Sequence, residues 1–206
     1  MTPKPTGTRK LSKREYLEAI AKETAKMSYP GHMNPIVEEG TKVKLEEYFV
    51  SNFPIEELWD GKSIAYTDYE KWHEKQTKMI SENVVRDMLK EKEEPYHKDA
   101  VSAKFLNTFM HQLMKREKFR GLYKHLHLTL DNGVLKKECV RQRLESNITN
   151  AYKMNYETYK SIQEGLRDVL KDYNKKLEGT GIKLRSRIDL NAVLWALEAK
   201  EKKRKN

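Results

Sequence analysis

Val101, Phe105, Phe109 and Leu113 recur at every fourth position, the spacing that lines up one face of an α-helix. Leu11, Leu17, Ile20 and Ala21 repeat helical spacing within residues 10–27. A chain whose apolar side chains keep this period cannot bury them on a pleated sheet. The pattern predicts an all-α fold, a compact bundle of roughly seven to nine helices with flexible basic tails at both ends.

Local signals set the expected boundaries. Tyr29, Pro30 and Gly31 break the first helix, and Asn34 followed by Pro35 is a start signal for a second, to about Phe49. Residues 52–61 read as a turn region containing Trp59. Thr67 and Glu70 match a capping box, so a long helix should follow to about Lys90 and end before Pro95. Another long helix is expected from Asp99 to Lys118, interrupted by Gly121. Residues 126–131 alternate with a strand period but are too few to found a sheet. A helical pattern resumes from Val134 to Leu144, and Ile148 to Leu177 holds one long helix or two. Gly179, Thr180 and Gly181 close it, and Ser186 with Asp189 opens the last helix, through Trp195. The expected organisation is a flexible basic arm over 1–9, a single helical domain over 10–199, and a basic tail over 200–206. Two lobes with a cleft near 126–134 are compatible with that division.

Apolar residues make up 37% of the chain and charged ones 35%, which suits a globular protein with a polar surface. No apolar run approaches the ~20 residues of a membrane span, and the N-terminus has no apolar signal core. The single cysteine, Cys139, excludes an intramolecular disulfide and suits a reducing cytoplasm, at the nucleoid if the source is bacterial. The net charge of +10 is unevenly spread. Residues 1–14 hold five basic groups and no acid; 200–206 hold five and one. Residues 34–94 carry net −6 and residues 101–145 net +6. Such polarity predicts a polyanion approached on one face, with nucleic acid the expected partner and DNA preferred. No membrane partner and no cofactor are expected.

The residues from Leu126 to Leu135 change from alternation to a helical pattern at Asp131. A carboxylate at that junction is what an ordinary helix cap looks like. The same position also suits chemistry on nucleic acid, because a fixed negative charge stabilises a sugar that becomes cationic as its glycosidic bond breaks. Lys115, Arg116, Lys118, Arg120 and Lys124 precede it, and Lys136, Lys137, Arg141 and Arg143 follow. Side chains of this kind grip phosphates without reading sequence, or simply form a solvated helix face.

Leu130-Asp131-Asn132-Gly133-Val134-Leu135 resembles the V-D-T-H-V element of helix-hairpin-helix DNA glycosylases. In that family an aspartate just before a helix serves base excision. The helix from Ala103 through Asn107 is similar in placement to the one that precedes the aspartate there, and the resemblance covers about 40 residues, Val101 to Leu144. It implies that Asp131 is the catalytic carboxylate. The family's glycine-rich hairpin is replaced here by Lys115 to Leu122, with Gly121 alone remaining, and there is no cysteine cluster for an iron–sulfur site. The chain would be a divergent member.

Some glycosylases also use a lysine nucleophile; Lys104 and Lys115 are candidates, although a monofunctional, water-using reaction is the favoured expectation. His125 and His127 would point the same way on an extended segment, but no third strong ligand lies near, so no metal is expected. A base-contacting role for either histidine stays open. His127 with Thr129 also matches the H-x-T element of 2H phosphoesterases, but no second copy exists and that fold needs a sheet. Trp59, in a turn, is the best candidate to stack on an extruded base, with Trp72 in a second aromatic group beside Tyr66 and Tyr69. Core packing is the ordinary role for each tryptophan. Asn107 is a candidate to read a base edge. The expectation is a base-excision enzyme acting on a modified or damaged base, in repair or in defence against foreign DNA. The alternatives are a non-catalytic helical nucleic-acid-binding module and a protein-interaction adaptor docking through the acidic residues 34–94.

Overall fold

The computed structural model describes residues 12–59, 64–91, 96–142, 148 and 150–194. The expected arm over 1–9, the tail over 200–206, Arg143 and Trp195 lie outside the described residues. The fold is all-α, with helices α1 (Lys13–Ser28), α2 (Thr41–Ser51), α3 (Tyr66–Ile80), α4 (Lys98–Leu113), α5 (Asn132–Leu135), α6 (Glu138–Arg141), α7 (Tyr156–Lys176) and α8 (187–194). Among the described residues no helix is long and apolar enough to cross a membrane.

Helix α4 is the centre. Its predicted face of Val101, Phe105, Phe109 and Leu113 is fully buried, and so are Ala100, Ala103, Leu106 and Met110 around the rest of the cylinder. A helix buried nearly all round needs partners on every side. Helices α1 and α3 pack against it directly, and α7 closes the far side. Two apolar clusters result. One holds Val101, Phe105 and Phe109 with α1, α2 and α3. The other holds Ala100 and Ala103 with α7, Leu130, Val134 and Leu190. Phe109 stacks on Phe49 of α2 with centroids 4.0 Å apart, and Tyr29 stacks on Phe105 at 5.7 Å.

Several boundaries differ from expectation for identifiable reasons. Asn34 and Pro35 do not start a helix. The chain there folds back so that Val37 bridges to Leu89, with Glu38 N donating to Met88 O at 2.8 Å, and α2 begins only at Thr41. The capping box at Thr67 does not form: α3 starts two residues earlier, behind Ala65, and Glu70 is drawn inward to another partner. The helix expected to run on to Lys118 ends at Leu113, and Glu117–His125 is a 3₁₀ segment running through Gly121. Its threefold repeat buries Phe119, Leu122 and His125 and leaves Lys118, Arg120 and Lys124 outside. The helix predicted over Val134 to Leu144, of which 143 and 144 lie outside the described residues, is replaced by two short ones, separated where Lys137 takes extended backbone. Helix α7 starts at Tyr156 because Asn150 and Asn155 bond nearby amides, Tyr152 N and Thr158 N at 2.9 Å each. Gly179 and Gly181, at φ 82° and 75°, turn the chain after α7 in a conformation that side chains resist.

Residues 126–128 and 130 are buried without forming a strand ladder, and buried backbone groups need partners. Side chains supply them. Gln163 receives Leu128 N at 3.0 Å and donates to Leu128 O at 2.7 Å. Arg187 donates to Leu126 O at 3.1 Å and His125 O at 2.6 Å. This pinned segment delivers Asp131 to the edge of the second cluster.

Candidate active site

Asp131 caps α5. Its backbone is extended, and Oδ1 accepts Val134 N at 2.8 Å. The carboxylate is half-buried, and its Oδ2 takes no hydrogen bond among the described residues. The next side chain extends the arrangement: Asn132 Oδ1 accepts Ala151 N at 2.8 Å, tying the start of α5 to the turn over 150–152. From that turn Tyr152 reaches α4, where its hydroxyl receives Lys104 Nζ at 2.5 Å.

Lys104 is 5% exposed. Burial pushes its amine down to about 8, and the Asp131 carboxylate acts in the opposite direction, upward. Desolvation disfavours the ammonium, so about a tenth of the amine is neutral near pH 7, where an ordinary surface lysine has almost none. His32, exposed on the turn Gly31–Met33, feels the same two groups: its own burial and then Lys104 lower its pKa, while Asp131 raises it. A buried amine, a carboxylate and an imidazole therefore share one electrostatic neighbourhood.

The other sequence candidates separate from this group. His125 and His127 are both buried, at 6% and 2% exposure, with their rings against Tyr69. Asn107 is likewise buried, and both ends of its amide are taken by groups of the protein, which leaves none to read a base edge. It belongs to a chain of hydrogen bonds whose directions are mutually consistent. Asn107 Oδ1 can only accept, so His73 Nε2 donates to it at 2.9 Å, and His73 Nδ1 then accepts from Tyr156 Oη at 3.0 Å. Asn107 Nδ2 donates to Tyr159 Oη at 2.7 Å, Tyr159 donates to His127 Nδ1 at 2.8 Å, and His127 Nε2 donates to Glu70 Oε1 at 2.9 Å. Both imidazoles are neutral in this pattern. Burial, aided for His73 by the His127 ring and for His127 by Arg187, pushes both well below the usual histidine range.

Trp59 is not a free stacking platform. It meets Tyr16 and Phe119 edge to face at 5.8 Å each, with Lys13 and Lys118 near its ring. Trp72 donates Nε1 to Glu57 at 3.0 Å and packs on Phe53. In the basic tract, Arg116 pairs with Glu23 of α1 at 2.6 Å and Lys115 bonds Gln112 at 2.6 Å. Lys118, Arg120 and Lys124 are exposed; Lys136 is exposed one turn beyond Asp131, and Lys137 is half-buried. Arg116 and Lys118 thus lie with α1 and Trp59 rather than beside Asp131. Among the described residues no three metal-binding side chains converge.

Sequence reasoning placed Asp131 and named Lys104, but it missed Tyr152, His32 and Arg187. One signal was available for Lys104. It is the sole lysine, arginine or acid between Asp99 and Lys115, a lone charge in an otherwise apolar helix. No family model, characterised protein or solved structure matches the chain.

Proposed function

We propose that the protein excises a base from nucleic acid, with the Lys104 amine as nucleophile and Asp131 as the carboxylate that stabilises the cationic sugar. The observation that carries this reading is the buried amine of Lys104, joined through Tyr152 and the Asn132–Ala151 hydrogen bond to the start of the helix that the half-buried Asp131 caps. It moves the preference from the water-using reaction to an amine nucleophile, because Lys104 is the one buried lysine among the described residues.

In this reaction Nζ attacks C1′ of the sugar, the C1′–N bond to the base breaks, and its electron pair leaves on the base, which takes up a proton. Asp131 favours the positive charge that grows on the sugar. Nζ gives up two protons in all, one to the departed base and one to O4′ as the ring opens, and a neutral imine then joins Lys104 to C1′. Removal of a C2′ proton and departure of the 3′-phosphate would cleave the strand. Lys118, Arg120, Lys124 and Lys136 supply exposed positive charge for the phosphate backbone.

Incubation with oligonucleotides carrying natural, damaged or modified bases, with released base and abasic product measured, tests the proposal. The native chain should generate product on at least one base class. Lys104→Met and Asp131→Asn should each lose it while retaining binding. Salt-sensitive binding without product would favour the non-catalytic module; the absence of both would favour the adaptor.

A further inference from the structure

We propose that Tyr152 is the positioning residue of this site, holding the Lys104 amine in one orientation through its hydroxyl. This role rests on the reading of Lys104 as the nucleophile.

The geometry is specific. Lys104 Nζ lies 2.5 Å from Tyr152 Oη and 4.7 Å from the ring centroid. A neutral amine has two N–H bonds and one lone pair. A hydroxyl that accepts one N–H fixes the nitrogen and leaves the lone pair for an electrophile. In the protonated state the same oxygen accepts one of three N–H bonds, so the hydrogen bond survives the loss of the proton. Burial, with Asp131 and Tyr96, raises the Tyr152 phenol above its ordinary range, which keeps it a neutral hydroxyl at working pH.

Tyr152 is itself held from several directions. Its amide donates to Asn150 Oδ1 at 2.9 Å, and its carbonyl accepts His97 N at 2.7 Å, just before α4. Its ring meets Tyr96 edge to face at 6.2 Å. The preceding residue, Ala151, is bonded to Asn132, the neighbour of Asp131. The turn over 150–152 is ordered by side chains reaching its backbone, and it links the amine of α4 to the carboxylate before α5. A tyrosine fixed at both its backbone and its ring can impose an orientation on a lysine, whose four rotatable bonds otherwise leave it free.

Two readouts on the full-length chain test this. The first is the reactivity of Lys104 toward limiting acetic anhydride, followed by peptide mass spectrometry from about pH 6 to about pH 10. Tyr152→Phe removes an acceptor that favours the ammonium, so the inflection should move to lower pH. The second is the rate of borohydride-trapped adduct with a productive oligonucleotide. It should fall roughly tenfold to a hundredfold in kcat, with little change in KM, although more of the amine is neutral. A slower reaction from a less protonated lysine is the signature of lost orientation, and simple structural support would not produce it. An unchanged inflection or an unchanged rate overturns the role. If the native chain traps nothing on any oligonucleotide, the base-excision reading fails by itself, and the inflection alone decides for or against Tyr152. Should Tyr152→Phe not fold, 3-fluorotyrosine at 152 keeps the shape with a weaker acceptor, and the inflection should again move down.

Discussion

Arg187 Nη2 donates to Glu70 Oε1 at 3.1 Å, joining α8 to α3 across 117 residues of sequence. Arg187 is 2% exposed at its side chain and Glu70 11%. The guanidinium also caps the carbonyls of His125, Leu126 and Gln163, so one cation satisfies four acceptors. The segment carrying Asp131 is hung on this arginine. Arg187→Ala should therefore destabilise the protein by about 3–5 kcal/mol, because it leaves the Glu70 carboxylate without its charge partner and the buried carbonyls of His125 and Leu126 without their donor. Urea denaturation should show this. The double variant with Glu70→Gln should cost less than the sum of the two single changes.

The paired histidines predict an acid limb of stability. Burial holds His73 and His127 well below the ordinary histidine value of 6.5. Between that depressed value and 6.5 the unfolded chain binds protons that the native chain refuses, so stability falls as pH drops below about 6.5. His32, His111 and His125 are lowered as well and act with the same sign. Each fully engaged histidine adds a slope of ~1.4 kcal/mol per pH unit. The urea midpoint should be clearly lower at about pH 5.5 than at about pH 7.5. Equal midpoints would mean that the histidines are solvated or charged in the native state.

Lys104 should prove a liability to the fold. Its amine titrates near 8 in the native chain, against an ordinary 10.5. Below 8 the protonated amine costs the native state on the order of 3 kcal/mol, and stability rises with pH from about 8 to 10.5. Lys104→Met keeps the apolar stem and removes the charge. It should raise stability at neutral pH by ~1–3 kcal/mol and flatten that alkaline rise. A residue that weakens the fold and is needed for product is the expected mark of an active-site group. A large loss of stability on this change would point instead to a structural lysine.

Helix class was legible because it rests on short-range spacing, and α4 shows why: a face repeated every four residues needs no knowledge of its partners. The features that failed depend on distant residues. Glu70 has the spacing of a capping box, yet Arg187 and His127 compete for its carboxylate and win. Asn34 and Pro35 carry a valid start signal, but pairing between Val37 and Leu89 takes the chain elsewhere. The surroundings of His125 and His127 were left open, packed or solvent-facing, because polar residues alternate with leucines there; Tyr69, Tyr159 and Glu70 make that polar face an interior one. Asp131 was legible as a cap at a junction. Tyr152 was not, since its meeting with Lys104 is set by Asn132 and Ala151, nineteen residues apart in the chain.

Nucleic-acid binding through the exposed cations should weaken steeply with salt. Replacing Lys118, Arg120 and Lys124 together by Gln should lower the slope of log affinity against log salt by about 1 for each phosphate no longer neutralised. Fluorescence anisotropy with a labelled duplex measures this. An unchanged slope would exclude the 3₁₀ segment from the interface.

Whether Lys104 attacks the sugar is read most directly by borohydride reduction during reaction with oligonucleotides bearing modified bases or an abasic site, followed by peptide mass spectrometry. A trapped sugar on Lys104, lost in both Lys104→Met and Asp131→Asn, is the predicted result. Adducts scattered over surface lysines, or none on any substrate from a folded and binding-competent chain, would contradict it.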